Sequence, residues 1–193
     1  MPAREEVLEA NARYAEQFDL RMLPGPPVRR LAVLTCMDSR LDPARFLGLE
    51  PGDAHVIRNA GAVVTDDVIR GLVLSTWLMD IREVLVIAHT RCKLLGGSNE
   101  QIRKEIADRG SVDVGTIDFH PFADLEESVR AGLARIAQSP LLPESLEASG
   151  FVYEVETGTL RTVAAGETEQ QDGRAAAETV PGQTALDPAE LRV

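Results

Sequence analysis

Two short apolar runs in this chain each end in a polar motif, and each motif carries one of the chain's two cysteines. Leu31-Ala32-Val33-Leu34-Thr35 leads into Cys36-Met37-Asp38-Ser39-Arg40, and Val84-Leu85-Val86-Ile87-Ala88 leads into His89-Thr90-Arg91-Cys92. Runs of this length, rich in β-branched residues, suit strands buried on both faces of a parallel sheet. A fold that joins their ends gathers two thiols and an imidazole, the donor set of a catalytic zinc with one open coordination position. Cys36, His89 and Cys92 are the first candidate ligands.

Ala54 to Ile57 is a third such run, and the segment between it and Val84 is written as a helix. Thr65 is placed as an N-cap, Asp66 and Asp67 sit where the helix dipole favours anions, and Val68, Ile69, Leu72, Val73, Trp77 and Leu78 recur at helical spacing. A strand-helix-strand unit makes its strands parallel, so both cysteine motifs fall at carboxyl ends of strands, where open α/β sheets bind ligands. Elsewhere, Val7 to Phe18 reads as an amphipathic leading helix ahead of the connector Leu23-Pro24-Gly25-Pro26-Pro27. Ser98-Asn99-Glu100-Gln101 has capping-box form and opens a helix toward Asp108, and Ala123 to Gln138 gives another. Phe151 to Val155 and Leu160 to Val163 read as a hairpin about Glu156-Thr157-Gly158-Thr159. The fold class expected is α/β: a central, mostly parallel β-sheet flanked by helices, with an N-terminal arm helix and a C-terminal hairpin.

With 193 residues, 44% of them hydrophobic and 26% charged, the chain has room for one domain with a proper core. The expected division is a domain over 1–164 and an acidic tail over 165–193. That tail has no aromatic residue and sets six acidic residues against two arginines, so it cannot bury enough apolar surface to fold alone. A net charge of -11 argues against a nucleic-acid or anionic-membrane surface and favours small-molecule chemistry. The start of the chain lacks the apolar stretch of a signal peptide, and no run reaches the roughly 20 residues of a spanning helix. A cytoplasmic setting is expected, in which metal binding or catalysis is a better use of the two thiols than a disulfide.

Taken together, Cys-x-Asp-x-Arg at Cys36, Asp38 and Arg40, the stretch Val56-Ile57-Arg58-Asn59-Ala60-Gly61, and His-x-x-Cys at His89 and Cys92 resemble the β-class carbonic anhydrases of the short bacterial type. Order and spacing match, from the leading helix through Val163. The resemblance implies Zn²⁺ held by Cys36, His89 and Cys92, with Asp38 and Arg40 as a catalytic dyad. It implies reversible hydration of carbon dioxide to bicarbonate and a proton through zinc-bound hydroxide. In some members the matching aspartate takes the fourth zinc position at lower pH until its arginine partner recaptures it, so Asp38 is expected to have both options, as a conditional fourth ligand and as a partner of Arg40. Backbone at Asn59, Ala60 and Gly61 is expected to line the substrate cleft. Partners implied are a homodimer or larger homo-oligomer, with the leading helix embracing the neighbour.

Each residue also has a plainer reading. A free cysteine alone is more often core than ligand; Asp38 with Arg40 can be a loop-stabilising ion pair, and Asn59-Ala60-Gly61 a tight turn. His55 and His120 are read as structural or solvated. Arg58 is read as a surface residue; members that bind bicarbonate allosterically use a matching arginine, but Val33 stands where they carry tryptophan, so that regulation is not expected. The chain departs from the family at Arg91 and Lys93, where relatives carry Asp and Gly. These cations have three readings: favouring an anion, pairing with Asp38, or pointing to solvent. Two alternatives accompany the carbonate dehydratase reading: a hydrolase of carbonyl sulfide or carbon disulfide using the same site, and a catalytically weak zinc protein acting as an assembly or regulatory partner.

Overall fold

The computed structural model describes residues 3–164, so the acidic segment 165–193 lies outside the described residues. Five strands form one sheet: β1 (Leu31–Cys36), β2 (Ala54–Asn59), β3 (Glu83–His89), β4 (Glu147–Tyr153) and β5 (Leu160–Val163). Their order is β2-β1-β3-β4-β5, parallel throughout except for β5, which runs antiparallel to β4. The expected α/β class with a mostly parallel sheet is therefore what the chain adopts.

Helices cover both faces. On one face, α3 (Asp66–Met79) and α5 (Leu125–Ala137) pack Val68, Ile69, Leu72, Val129, Leu133 and Ile136 against Ala32, Leu34, Val84, Val86 and Val152. On the other, the short α2 (Pro43–Leu47) and the residues after it set Phe46, Leu47 and Leu49 over Leu31, Val33 and Ile87. All six residues of β1 are buried, as a central strand covered on both faces requires. Chain direction explains where a site can form. From β1 the chain crosses one way to β2 through α2 and returns past β1 to β3 through α3, so the carboxyl ends of β1 and β3 lie side by side at a topological switch point.

Local signals account for most boundaries. Thr65 Oγ1 accepts from the Val68 N–H and caps α3, while Ser98 and Gln101 form the full capping box of α4 (Asn99–Gly110). α5 begins at Leu125 because the Asp124 side chain accepts from the Glu127 N–H. Sequence reading missed α2, although Asp42 as cap, Pro43 in the first turn and left-handed Gly48 as terminator all signal it. It also started β4 four residues late. Ala148-Ser149-Gly150 carries little strand propensity, yet Gly150 is where α5 closes on the sheet: a Cβ there would lie 2.5 Å from Val129 Cγ1.

The leading helix α1 (Ala3–Glu16) buries none of its residues, leaving Val7, Leu8 and Tyr14 more than half exposed. No helix among the described residues is long and apolar enough to cross a membrane.

Candidate metal centre

Cys36 is the last residue of β1, His89 the last of β3, and Cys92 lies three residues on in the turn that follows. The adjacent registers bring them together: their ligand atoms all lie within 4.8 Å of one another. All three residues are buried, with His89 only 1% exposed, and both cysteines are free thiols. Among the described residues, no other cluster of His, Cys, Asp and Glu side chains reaches this arrangement.

The His89 ring is oriented for a ligand. Nδ1 lies 2.8 Å from the carbonyl of Thr90, and a carbonyl can only accept, so Nδ1 carries the proton. That leaves the lone pair on Nε2, a buried atom with no hydrogen-bond partner among the described residues. A buried imidazole nitrogen left unpartnered beside two thiols is costly unless something fills the gap between them, and a thiophilic metal ion fits this donor set.

The thiols are not equivalent without a metal. The neighbouring Cys92 thiol first, and the backbone N–H groups of Gly61 and Asp38 after it, outweigh burial and hold the Cys36 thiol below its usual range. The Gly61 N–H reaches Cys36 Sγ at 3.3 Å. Facing that thiolate, Cys92 is pushed upward. A cation between them reverses the second shift, because thiolates are the form that binds metal.

Asp38 sits at the edge of this group. Both its oxygens face Arg40: Nε donates to Oδ1 at 2.9 Å and Nη2 to Oδ2 at 2.7 Å. The side chain of Arg40 and then its backbone N–H hold the Asp38 carboxyl well below the usual carboxylate range. Asp38 Oδ2 lies 3.9 Å from His89 Nε2, so the carboxylate reaches toward the metal group while bound to arginine. Arg40 Nη2 is steadied in turn by the Arg91 carbonyl at 3.1 Å.

Beyond the polar atoms the surroundings are apolar. Leu41 and Ala62 are buried with the two cysteines, and Phe46, Leu94, Phe122, Tyr153 and Val155 pack against them. Of the expected cleft residues, Asn59 spends its side chain on Val63, donating to the carbonyl at 2.7 Å and accepting from the N–H at 3.1 Å. Ala60 and Gly61 belong to the 3₁₀ turn Ala60–Ala62 that follows β2. Gly61 has φ 83°, and a Cβ would come within 3.0 Å of Leu94 and 3.1 Å of Phe122. The apolar, glycine-rich stretch Leu94-Leu95-Gly96-Gly97 reads in the sequence as one that shapes the cleft entrance, whereas nothing local marks Phe122, which only the fold brings onto Gly61.

The two departures from the family pattern point away from Asp38. Arg91 pairs with Glu156 and Lys93 with Glu105, all four side chains at the surface. Left-handed backbone falls on Arg91, with φ 57°, and not on Lys93, so lysine at that position meets no such strain. His55 bonds Ser75 between β2 and α3, and His120 faces Asp118 in a loop; neither joins the metal group.

The carbonic anhydrase family model matches residues 31–114, a span that contains Cys36, Asp38, Arg40, His89 and Cys92. Over 163 residues the chain is 40% identical to beta-carbonic anhydrase 1 of Mycobacterium tuberculosis, covering 84% of this chain and 99% of that protein. A solved carbonic anhydrase from Streptococcus mutans superposes with a TM-score of 0.80 at 43% identity, covering 85% of this chain and 99% of the other. The chain is also 34% identical over 180 residues to a carbon disulfide hydrolase of Acidianus, covering 81% of this chain and 88% of that protein. The chain belongs to the β-carbonic anhydrase family.

Proposed function

We propose that the protein is a zinc-dependent carbonate dehydratase that hydrates carbon dioxide reversibly to bicarbonate and a proton, with Cys36, His89 and Cys92 as the protein ligands. The observation that carries this reading is the unpartnered, buried Nε2 of His89 among two free thiols, 3.9 Å from a carboxylate already held by arginine. Zinc in this place supplies a Lewis acid that makes water nucleophilic near neutral pH.

The chain's own residues do the rest. Asp38 stays ionised and so offers an acceptor oxygen to the reacting water, orienting its lone pair toward the substrate carbon. Arg40 fixes that carboxylate at two points and keeps it from taking the proton itself. Leu41, Ala62, Leu94 and Phe122 give an apolar setting that suits a small, uncharged, linear substrate and disfavours its charged product. Asp38 remains the conditional fourth ligand in this proposal, since releasing Arg40 would free its oxygens toward the metal group.

Carbon disulfide is the second reading, favoured by the relative of that activity at 34% identity. Carbonyl sulfide belongs to the same reading, because the nucleophile and ligand set are the same. Parallel turnover assays with carbon dioxide, carbonyl sulfide and carbon disulfide on zinc-verified protein decide between them. A kcat/KM for carbon dioxide above that for both sulfur substrates supports the first reading; the reverse order supports the second.

The assembly proposed is a homodimer, supported by an α1 whose Val7, Leu8 and Tyr14 are left more than half exposed by the described residues. Thiolate ligands suit a reducing compartment, which makes the cytoplasm the proposed setting.

A further inference from the structure

We propose that Arg58, on the edge strand β2, is a positioning residue for the Asp38 and Arg40 pair; only its kinetic consequence rests on the carbon dioxide reading. Arg58 Nε donates to the carbonyl of Cys36 at 3.0 Å, and Nη2 donates to the carbonyl of Asp38 at 2.7 Å. One planar guanidinium thus grips two carbonyls that bracket Met37, at the point where the chain leaves the sheet.

The location gives this grip its effect. Pairing of β1 with β2 ends at Cys36 and Asn59, followed by a last bond from the Met37 N–H to the Asn59 carbonyl at 2.9 Å. Past that bond, Arg58 supplies what the sheet no longer does. Fixing the carbonyls on either side of Met37 fixes the backbone from which the Asp38 side chain springs. Arg40 then holds the carboxylate, and the Arg91 carbonyl holds Arg40. Arg58 touches neither carboxylate oxygen in these contacts, so it acts on the pair through the backbone. Lysine cannot replace it fully, because one ammonium on a flexible stem lacks the rigid, spaced donors of the guanidinium.

The test compares zinc-loaded wild type, Arg58→Met and Arg58→Lys by heteronuclear NMR of arginine Nε–H groups and by stopped-flow turnover, with zinc content and melting temperature measured on each. In wild type the Arg40 Nε–H, held on Asp38 Oδ1 at 2.9 Å, is expected to exchange slowly with solvent. Arg58→Met is expected to speed that exchange although Arg40 is untouched, and to lower kcat about 10-fold to 100-fold with KM and zinc content unchanged. Arg58→Lys is expected to fall between. Wild-type exchange and wild-type kcat in zinc-loaded Arg58→Met overturn the proposal. So does loss of zinc and melting temperature in step with kcat in both variants, which assigns Arg58 to the fold alone. If wild type itself does not hydrate carbon dioxide, the functional reading fails, and the exchange rate of the Arg40 Nε–H still decides the role of Arg58.

Discussion

Asp38 and Arg40 form a two-point pair, Nε to Oδ1 at 2.9 Å and Nη2 to Oδ2 at 2.7 Å, two residues apart in the loop that follows β1. The pair leaves the carboxylate ionised and aimed at the metal group. Asp38→Asn keeps the shape and removes the charge. Zinc content is expected to stay stoichiometric while kcat falls by about 10²-fold, because the reacting water loses the acceptor that orients it. Stopped-flow turnover beside metal analysis checks this, and a wild-type rate would remove Asp38 from the mechanism.

Arg40 also sets a pH dependence. The Asp38 carboxyl is lowered in the folded protein, first by the Arg40 side chain and then by its backbone N–H. A lowered carboxyl stabilises the fold fully above its unfolded value of about 3.9, and that contribution is lost as pH falls through the lower folded value. In Arg40→Ala the Asp38 titration, followed by carbon NMR, is expected to move up toward the ordinary range. An unchanged titration would mean that something other than Arg40 holds the carboxylate.

Cys36→Ser, His89→Ala and Cys92→Ser should each lose most of the bound zinc, since three protein ligands leave no redundancy. Chelation of the wild type is expected to lower its melting temperature, because a metal that binds only the folded state stabilises it by mass action. A chelator that strips the metal without moving the melting temperature contradicts that coupling.

Much of this site was legible before any coordinates. Two apolar runs ending in cysteine motifs are enough to put Cys36 and His89 at carboxyl ends of parallel strands, because a crossover helix dictates parallel strands; that β1 and β3 are neighbours comes from the sheet order. The clamp by Arg58 was not legible, since a residue on an edge strand reads as solvated until its two carbonyl partners are seen. The same holds for Phe122, which meets Leu94 at Gly61 only through tertiary packing. Gly150 misled in the other direction: a weak strand former by propensity, it is required by the approach of α5.

That approach yields a stability prediction. In Gly150→Ala the new methyl meets Val129 Cγ1 at 2.5 Å and Leu133 Cδ1 at 3.0 Å, so α5 must shift off the sheet. Overpacking of this kind costs about 1–3 kcal/mol. Urea unfolding is expected to show a lower midpoint at an unchanged slope, and a wild-type midpoint would mean that the helix yields freely.

Light scattering at micromolar concentration is expected to give at least a dimer. Val7→Glu combined with Leu8→Glu places charges on the uncovered face of α1 and is expected to weaken association. A wild-type monomer would contradict the proposed assembly.

The most direct test of the account is stopped-flow carbon dioxide hydration by protein of verified zinc content, scanned from mildly acidic to alkaline pH. Rapid turnover that rises with pH is the predicted result. Stoichiometric zinc with no hydration at any pH would contradict the central claim and leave the sulfur substrates, or a non-catalytic role, in its place.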